Sequence, residues 1–417
     1  MKKIISTILS TVFVVGCLSG CVSAELENLV NYTTNLIETN ETAEEAFKST
    51  VLLTESDFKY ELSVDGNGIC LTEYLGKKTR IRIPEKIEGL PVVSLGSCFD
   101  TLSNRDVAEL EVVYIPDSVK EVSCFSLQRK LKFVRLPEGL KKIPSFMFME
   151  CTSLTEISIP ESVEEIEGSA FSGAGLKTLK FPDGITFRDS KYKYSGICSE
   201  CRELKTVVLP RGAVEIPSEM FKNCTSLTSV KIPDSVKIIR DSAFGGCSNL
   251  KDVTWPSKLE YIYEKAFADT ALSSVKLPDT LKQISGDNGF HNVKAEYVYL
   301  PAACVGPNDK YDSRTIIRGL GFASCGTIRF SDKIKELYGA LPHAKVINLP
   351  AALEVCDCDF GAELEELIIP DSLKRVAFKS FAFSSVRLPL KTQKRLRELG
   401  YTGSFAGVRP DRTQVEQ

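Results

Sequence analysis

The chain has 417 residues and a formal net charge of -3, from 52 Lys and Arg against 55 Asp and Glu. That balance excludes a strongly basic, nucleic-acid-type chain as a whole, and a 43% hydrophobic content is sufficient to bury a core. An ordinary globular chain of this length divides into two or three domains, whereas a repeat array grows in one dimension and escapes that estimate.

In chain order, Lys2 and Lys3 form a positive start, and Ile4 to Val15 is an apolar stretch too short for a membrane span. Leu18-Ser19-Gly20-Cys21 resembles a bacterial lipobox. Residues 1–20 therefore read as a lipoprotein signal peptide, with Cys21 the lipid-modified first residue of the mature chain. Two alternatives stay open: the looser match Val14-Val15-Gly16-Cys17, and an ordinary cleaved secretory signal. No other stretch is apolar and long enough to span a bilayer, so the lipid would be the only membrane anchor, placing the protein outside the cytoplasm at a bacterial cell surface. Residues 21–55 are acidic and polar and read as a tether, partly helical.

Residues 56–408 read as the folded array. An N-terminal cap of short strands occupies 56–105, with turns at Asp65-Gly66 and Glu88-Gly89. A charged, helix-compatible segment, Lys391 to Tyr401, lies in a C-terminal cap over 389–408, and 409–417 read as a disordered tail. Along most of the array a Pro returns, from Pro84 through Pro116, Pro137, Pro160, Pro182, Pro210, Pro233, Pro256, Pro278, Pro301, Pro350 and Pro370 to Pro389, with Ser331 in one such place. The commonest step is 22 or 23 residues, a period that means a stacked solenoid with no single central pocket.

Within a coil, an aliphatic stands three residues before the anchor and an apolar residue one before it. The residue between points the other way, because strand side chains alternate. Pro ends the strand, since it has no N–H for the ladder, and Asp-Ser or Glu-Gly makes the turn. A second apolar pair follows, as in Val236 and Ile239, and then Ala-Phe at 170–171, 243–244 and 266–267. No coil holds the long 3.6-residue periodicity of a helix. The fold expected is mostly β, a solenoid of about 14 coils with short strands, turns and few helices.

Fourteen Cys in an exported chain would ordinarily suggest disulfides. Here Cys151, Cys201, Cys224 and Cys247 keep one place in the coil, three residues before its Leu, which reads as a buried column of thiols acting as small hydrophobes. Cys198-Ser-Glu-Cys201 has the look of a zinc half-site but lacks a second pair, and Cys356-Asp-Cys358 is weaker still. No metal or cofactor is expected.

The string from Phe221 to Phe244, F-K-N-C-T-S-L-T-S-V-K-I-P-D-S-V-K-I-I-R-D-S-A-F, resembles the BspA-like leucine-rich repeats, also called the Treponema pallidum type. The resemblance runs over roughly residues 58–405 and departs at the enlarged coils 184–200 and 302–330, and at 331 and 351. It implies a right-handed solenoid on a bacterial surface protein of the adhesin kind, binding matrix proteins or other cells. It implies a class of function and no particular ligand.

Catalysis finds little support. His291 and His343 lie in no recognisable motif, and neighbouring acids such as Glu164-Glu165 would face opposite ways on a strand. Binding has more. The outward position two before each anchor holds Arg82, Tyr114, Arg135, Lys180, Lys231, Lys276, Tyr299, Arg329 and Arg387, with Ser158, Val208, Thr254, Asn348 and Ile368 between them; seven are basic and none acidic. Stacked at ~4.8 Å per strand they form one stripe on the sheet. A competing reading makes it a solvated face, answered by the acidic residues one after each anchor, among them Asp117, Asp183, Asp234 and Asp279, which turn chemistry also explains. Tyr192, Tyr194 and Tyr311, in the enlarged coils, are rival contact residues on loops. The reading is a non-enzymatic surface lipoprotein for protein–protein interaction or adhesion, its partner a protein or a polyanionic glycan and no nucleic acid. A glycan- or solute-capturing protein and a structural spacer or assembly subunit are the alternatives.

Overall fold

The computed structural model describes residues 41–99, 108–123, 125–188, 196–284, 288–302, 321–340, 344–360, 363–376 and 386–409. The chain divides into two compact units, residues 1–49 and 50–417. In the first, the short helix α1 (Ala43–Lys48) opens with a capping box: the Glu45 N–H donates to Thr42 Oγ1 at 3.3 Å, and the Thr42 N–H to the Glu45 carboxylate at 3.1 Å.

The second unit is a mostly β solenoid of about 11 turns. The anchors suggest about 14; those at the two ends stand in the caps, where the regular coil gives way to a hairpin or a helix. Strands before successive anchors pair in parallel, as Arg80–Arg82 with Val112–Tyr114 and that strand with Phe133–Arg135. A second row follows the anchors, as Glu215–Ile216, Ile238–Ile239, Tyr261–Ile262 and Gln283–Ile284. Among the described residues, antiparallel pairing is confined to the N-terminal cap, where Phe58–Leu62 meets Ile69–Tyr74 and Lys86–Ile87 meets Leu90–Leu95. The array begins earlier than its polarity suggests. Val51–Leu52 pairs with Arg80–Arg82, and Leu53 is buried in the core. Val51–Leu52, inside the segment assigned to the tether, are thus part of the sheet; a three-residue apolar run is too short to display a period. At the other end, α2 (Leu390–Glu398) buries Leu396.

The anchor works as a turn acceptor. Val119, Leu140, Val163, Val236 and Leu259 each donate a backbone N–H to the carbonyl of the Pro three residues earlier, at 3.0–3.2 Å. Ser331 does the same for Ile334 at 3.2 Å, and its own N–H, which Pro would lack, donates to the Leu300 carbonyl at 2.9 Å. Only the carbonyl is needed, so Ser can substitute. The residues three and one before the anchors are buried, apart from Ile157, Val253, Trp255 and Ile369, which pack half-buried against the core.

Behind the strands runs a spine of rings. Phe99, Phe125, Phe148 and Phe171 stack at 5.4–5.7 Å, and Phe221, Phe244, Phe267, Phe290 and Phe322 at 4.9–5.5 Å, with planes within 18° of parallel. The gap between the two stacks is filled by Cys198. The Phe171 N–H donates to the Ile197 carbonyl and the Cys198 N–H to that of Met220, the same rung pattern that Phe221 and Phe244 follow. Cys198 and Cys201 are therefore the ring position and the thiol position of one coil. The thiols of Cys151, Cys201, Cys224 and Cys247 donate to the carbonyl of the ring-position residue one coil back, Phe125, Phe171, Cys198 and Phe221, at 3.0–3.2 Å. Each of these carbonyls also accepts the backbone N–H of the residue three further on, so the thiol takes up its second lone pair.

Candidate functional site

Two residues before each anchor, the side chains turn away from the core, as the alternation of a strand requires. Their surroundings differ along the array. At the N-terminal end, Arg82, Tyr114 and Arg135 occupy adjacent rungs and are all half-buried. The Arg82 guanidinium lies over the Tyr114 ring at 4.0 Å and the Arg135 guanidinium at 5.1 Å, so the ring is held between two cations. Arg135 also donates from Nη1 to the Ile115 carbonyl at 2.7 Å and from Nη2 to Asp117 at 2.9 Å. This end is committed to its own neighbours.

The middle of the face is different. Lys180, Lys231 and Lys276 are exposed and stand on alternate rungs, with exposed Val208 and Thr254 between them. Lys180 faces Val208 and Lys231 faces Thr254 in two separate two-strand ladders, and Lys276 faces Tyr299 at the edge of a five-strand one. Lys180 approaches Glu161 at 3.7 Å, both side chains more than 70% exposed, a pairing of little energetic weight. Among the described residues, Lys231 and Lys276 make no ion pair, and neither do the exposed Arg329 and Arg387 further along. On the same outward face, two residues earlier in each strand, stand exposed Thr178, Thr206, Ser229, Asp252 and Ser274, short side chains beside long ones. Tyr299 is half-buried, its hydroxyl donating to Asp279 at 3.2 Å, and burial pushes that hydroxyl's pKa up.

The acidic column after the anchors has its own work. Asp117 accepts from the Glu138 N–H at 2.8 Å, Asp183 from Arg211 at 2.9 Å and Asp234 from Ser257 at 2.8 Å, each the equivalent turn residue of the next coil. These carboxyls sit below their ordinary range: Asp117 through the Arg135 hydrogen bond, Asp183 through that of Arg211, and Asp234 through the Ser257 backbone. The column clips coil to coil. It answers Arg135 closely and leaves the lysines largely uncompensated.

The described thiols carry no sign of chemistry. All ten described Cys are free, and burial pushes Cys247 and Cys325 up to about 12 and Cys151, Cys198 and Cys224 upward as well. No cluster of three or more metal-ligating side chains occurs among the described residues. Tyr192, Tyr194 and Tyr311, like Cys21, Cys17 and His343, lie outside the described residues. Two features of the face escape a residue-by-residue reading: the engagement of Arg82 and Arg135 by Tyr114, and the alternation of lysine with uncharged rungs. The second is visible in the sequence once the coils are aligned on their anchors.

The family described as BspA type Leucine rich repeat region (6 copies) matches residues 98–198 and 195–296. Among solved structures, a leucine-rich repeat protein from Bacteroides ovatus is similar at a TM-score of 0.55 and 19% identity, covering 86% of this chain and 100% of its own, which supports the fold. The Treponema pallidum leucine-rich repeat protein is 29% identical over 49% of this chain and 81% of its own, with a TM-score of 0.36. A leucine-rich cell surface protein from Faecalibacterium prausnitzii is 24% identical over 88% of this chain and 97% of its own, with a TM-score of 0.44. No curated protein matches the chain.

Proposed function

From a chain whose coils are BspA-type leucine-rich repeats, we propose that this is a non-enzymatic binding protein of the bacterial cell surface, held to the membrane by a lipid on Cys21 and serving adhesion through contact with an acidic protein partner. The observation that carries the reading is the column Lys180, Lys231 and Lys276: exposed and largely uncompensated, while acids of the same coils are occupied with backbone N–H groups. Cationic side chains that fold stability does not use are available to a partner, and a row of them raises encounter rates with acidic surfaces. Arg82, Tyr114 and Arg135 lie on the same face and serve mainly to rigidify its end. The lipid anchor rests on the lipobox-like Leu18-Ser19-Gly20-Cys21 and the apolar stretch before it.

A binding screen of the purified chain against matrix proteins and glycans, at several salt concentrations, tests the reading. Binding that weakens with salt and is lost on combined replacement of Lys180, Lys231 and Lys276 by Ser supports it. Binding that survives the triple replacement but fails in Tyr192→Ala or Tyr311→Ala would move the site to the enlarged coils. Metabolic labelling with a fatty-acid analogue tests the anchor: label should vanish in Cys21→Ala, and its loss only in Cys17→Ala would relocate the modification.

A further inference from the structure

We infer that copies of this chain join head to tail, the last coil of one seating on the first coil of the next. This contact is separate from the binding role proposed for the lysine face and uses none of its lysines. In a stack each coil covers its neighbour, and only the two terminal coils have an outer side left over. Edges, apolar side chains and charge at those two ends carry the argument.

At the N-terminal end, Val51–Leu52 pairs with Arg80–Arg82 and Phe58–Leu62 with Ile69–Tyr74, and neither pairs with any other described strand. Both rows of the array therefore begin in an open edge. Val51–Leu52 contains neither a charged residue nor a Pro, the usual means of blunting such an edge, and both side chains are exposed, Leu52 at 59%. Leu62, Val64 and Leu75 of the same end are exposed as well. The outer side of a terminal coil is ordinarily polar, so this apolar content marks a surface that a partner covers. At the other end, Gly407–Arg409 pairs with Arg387–Pro389 and with no other described strand, and Leu390, directly after Pro389, is 52% exposed. Both end pairs are parallel and belong to the strands that run toward the anchors. A second copy placed end on in the same orientation thus meets the first as one more parallel pair.

Charge decides which end meets which. Residues 50–67 carry Glu55, Asp57, Glu61 and Asp65 against Lys59 alone, and Lys59 is paired with Glu73; the next cations in sequence, Lys77 and Lys78, lie on the way into the following coil. Residues 387–398 carry Arg387, Lys391, Lys394, Arg395 and Arg397 against Glu398 alone, which Arg395 approaches at 3.4 Å. Among the described residues Glu55 and Glu61 make no ion pair, and neither do Arg387, Lys391 and Lys394. A two-fold dimer through either end would set acid on acid or base on base, whereas a head-to-tail contact sets acid on base. Copies stacked in one orientation leave an acidic end and a basic end free at every length, so the assembly is open and keeps growing.

Sedimentation velocity of the full chain in one non-ionic detergent, at about 20 mM salt where screening is weak, tests this. The average sedimentation coefficient should rise continuously with protein concentration, and added salt should reverse the rise. Reversing the charge of one end, by E55K/E61K or by K391E/K394E, should weaken the association about fivefold or more. Combining all four substitutions in one chain should restore it, since the ends are again opposite and the net charge is again that of the parent. Circular dichroism of each variant should match the parent's, and K180S/K231S/K276S should associate as the parent does. A coefficient independent of concentration overturns the proposal, as does growth that stops at a dimer. Single-end reversals that associate like the parent, or a combined variant that stays dissociated, overturn it too. Loss of association in the lysine triple variant would instead assign the contact to the lysine face.

Discussion

Arg82, Tyr114 and Arg135 at one end of the face, and Lys180, Lys231 and Lys276 in its middle, hold the same position of the same repeat, yet they do different things. At the first site three consecutive rungs carry two guanidiniums and a ring, and side chains on adjacent rungs are close enough to stack. At the second, each lysine has an uncharged neighbour on the next rung and reaches toward solvent. A repeat position sets which way a side chain points; the residue on the next rung decides whether it is consumed internally. The difference between the sites is therefore one of neighbours and of ladder: the arginine rungs share one continuous sheet, whereas the lysine rungs begin three separate ones.

That contrast can be put to measurement. The scale is set by the spine beneath both sites. Phe244 is fully buried between Phe221 at 5.4 Å and Phe267 at 5.2 Å, and Phe244→Ala should cost about 3–5 kcal/mol in chemical denaturation through lost burial and a cavity. Next comes Tyr114→Ala, which removes two cation–ring contacts and a half-buried ring, for about 1–2 kcal/mol. Lys231→Ala should stay within about 0.5 kcal/mol. Equal losses at Tyr114 and Lys231 would erase the distinction drawn between the sites.

A smaller effect concerns pH. The carboxyls of Asp117, Asp183 and Asp234 are held low by the hydrogen bonds that clip one coil to the next. A carboxyl depressed on folding contributes stability that is fully present above its unfolded value, about 3.9, and is lost as pH falls through the lower folded value. Melting temperature should thus fall as pH drops below about 4, and combined Asp117→Asn, Asp183→Asn and Asp234→Asn should flatten that fall, since an amide oxygen still accepts the backbone N–H at any pH. An unchanged slope in the triple variant would show that these clips do not sense protonation. The groups are well exposed, so the effect is modest.

Much of the fold is legible in the sequence itself. The alternation around each Pro places Val230 and Ile232 inside and Lys231 outside, and so they lie, because the strand period is two and one face must be apolar. The thiol column is legible from its fixed place, though its hydrogen bonds to the preceding ring-position carbonyls are not, since they join residues about one coil apart. Cys198 is harder to read, because it is the ring position of an enlarged coil where the spacing fails. Val51–Leu52 are hidden by the polarity around them. The sharing of Tyr114 between two arginines depends on side-chain reach across strands, which a pattern along one strand does not contain. The face is readable from the repeat; its division into an engaged end and an open middle is not.

The most direct measurement compares two variants, R82S/R135S and K180S/K231S/K276S, for melting temperature and for affinity to the screened partner at low and high salt. The account predicts that the arginine pair lowers the melting temperature by a few degrees and changes affinity less than about twofold, while the lysine triple leaves melting unchanged and removes most of the salt-dependent binding. The opposite pattern, with the arginine pair abolishing binding and the lysine triple binding as the parent does, would contradict it.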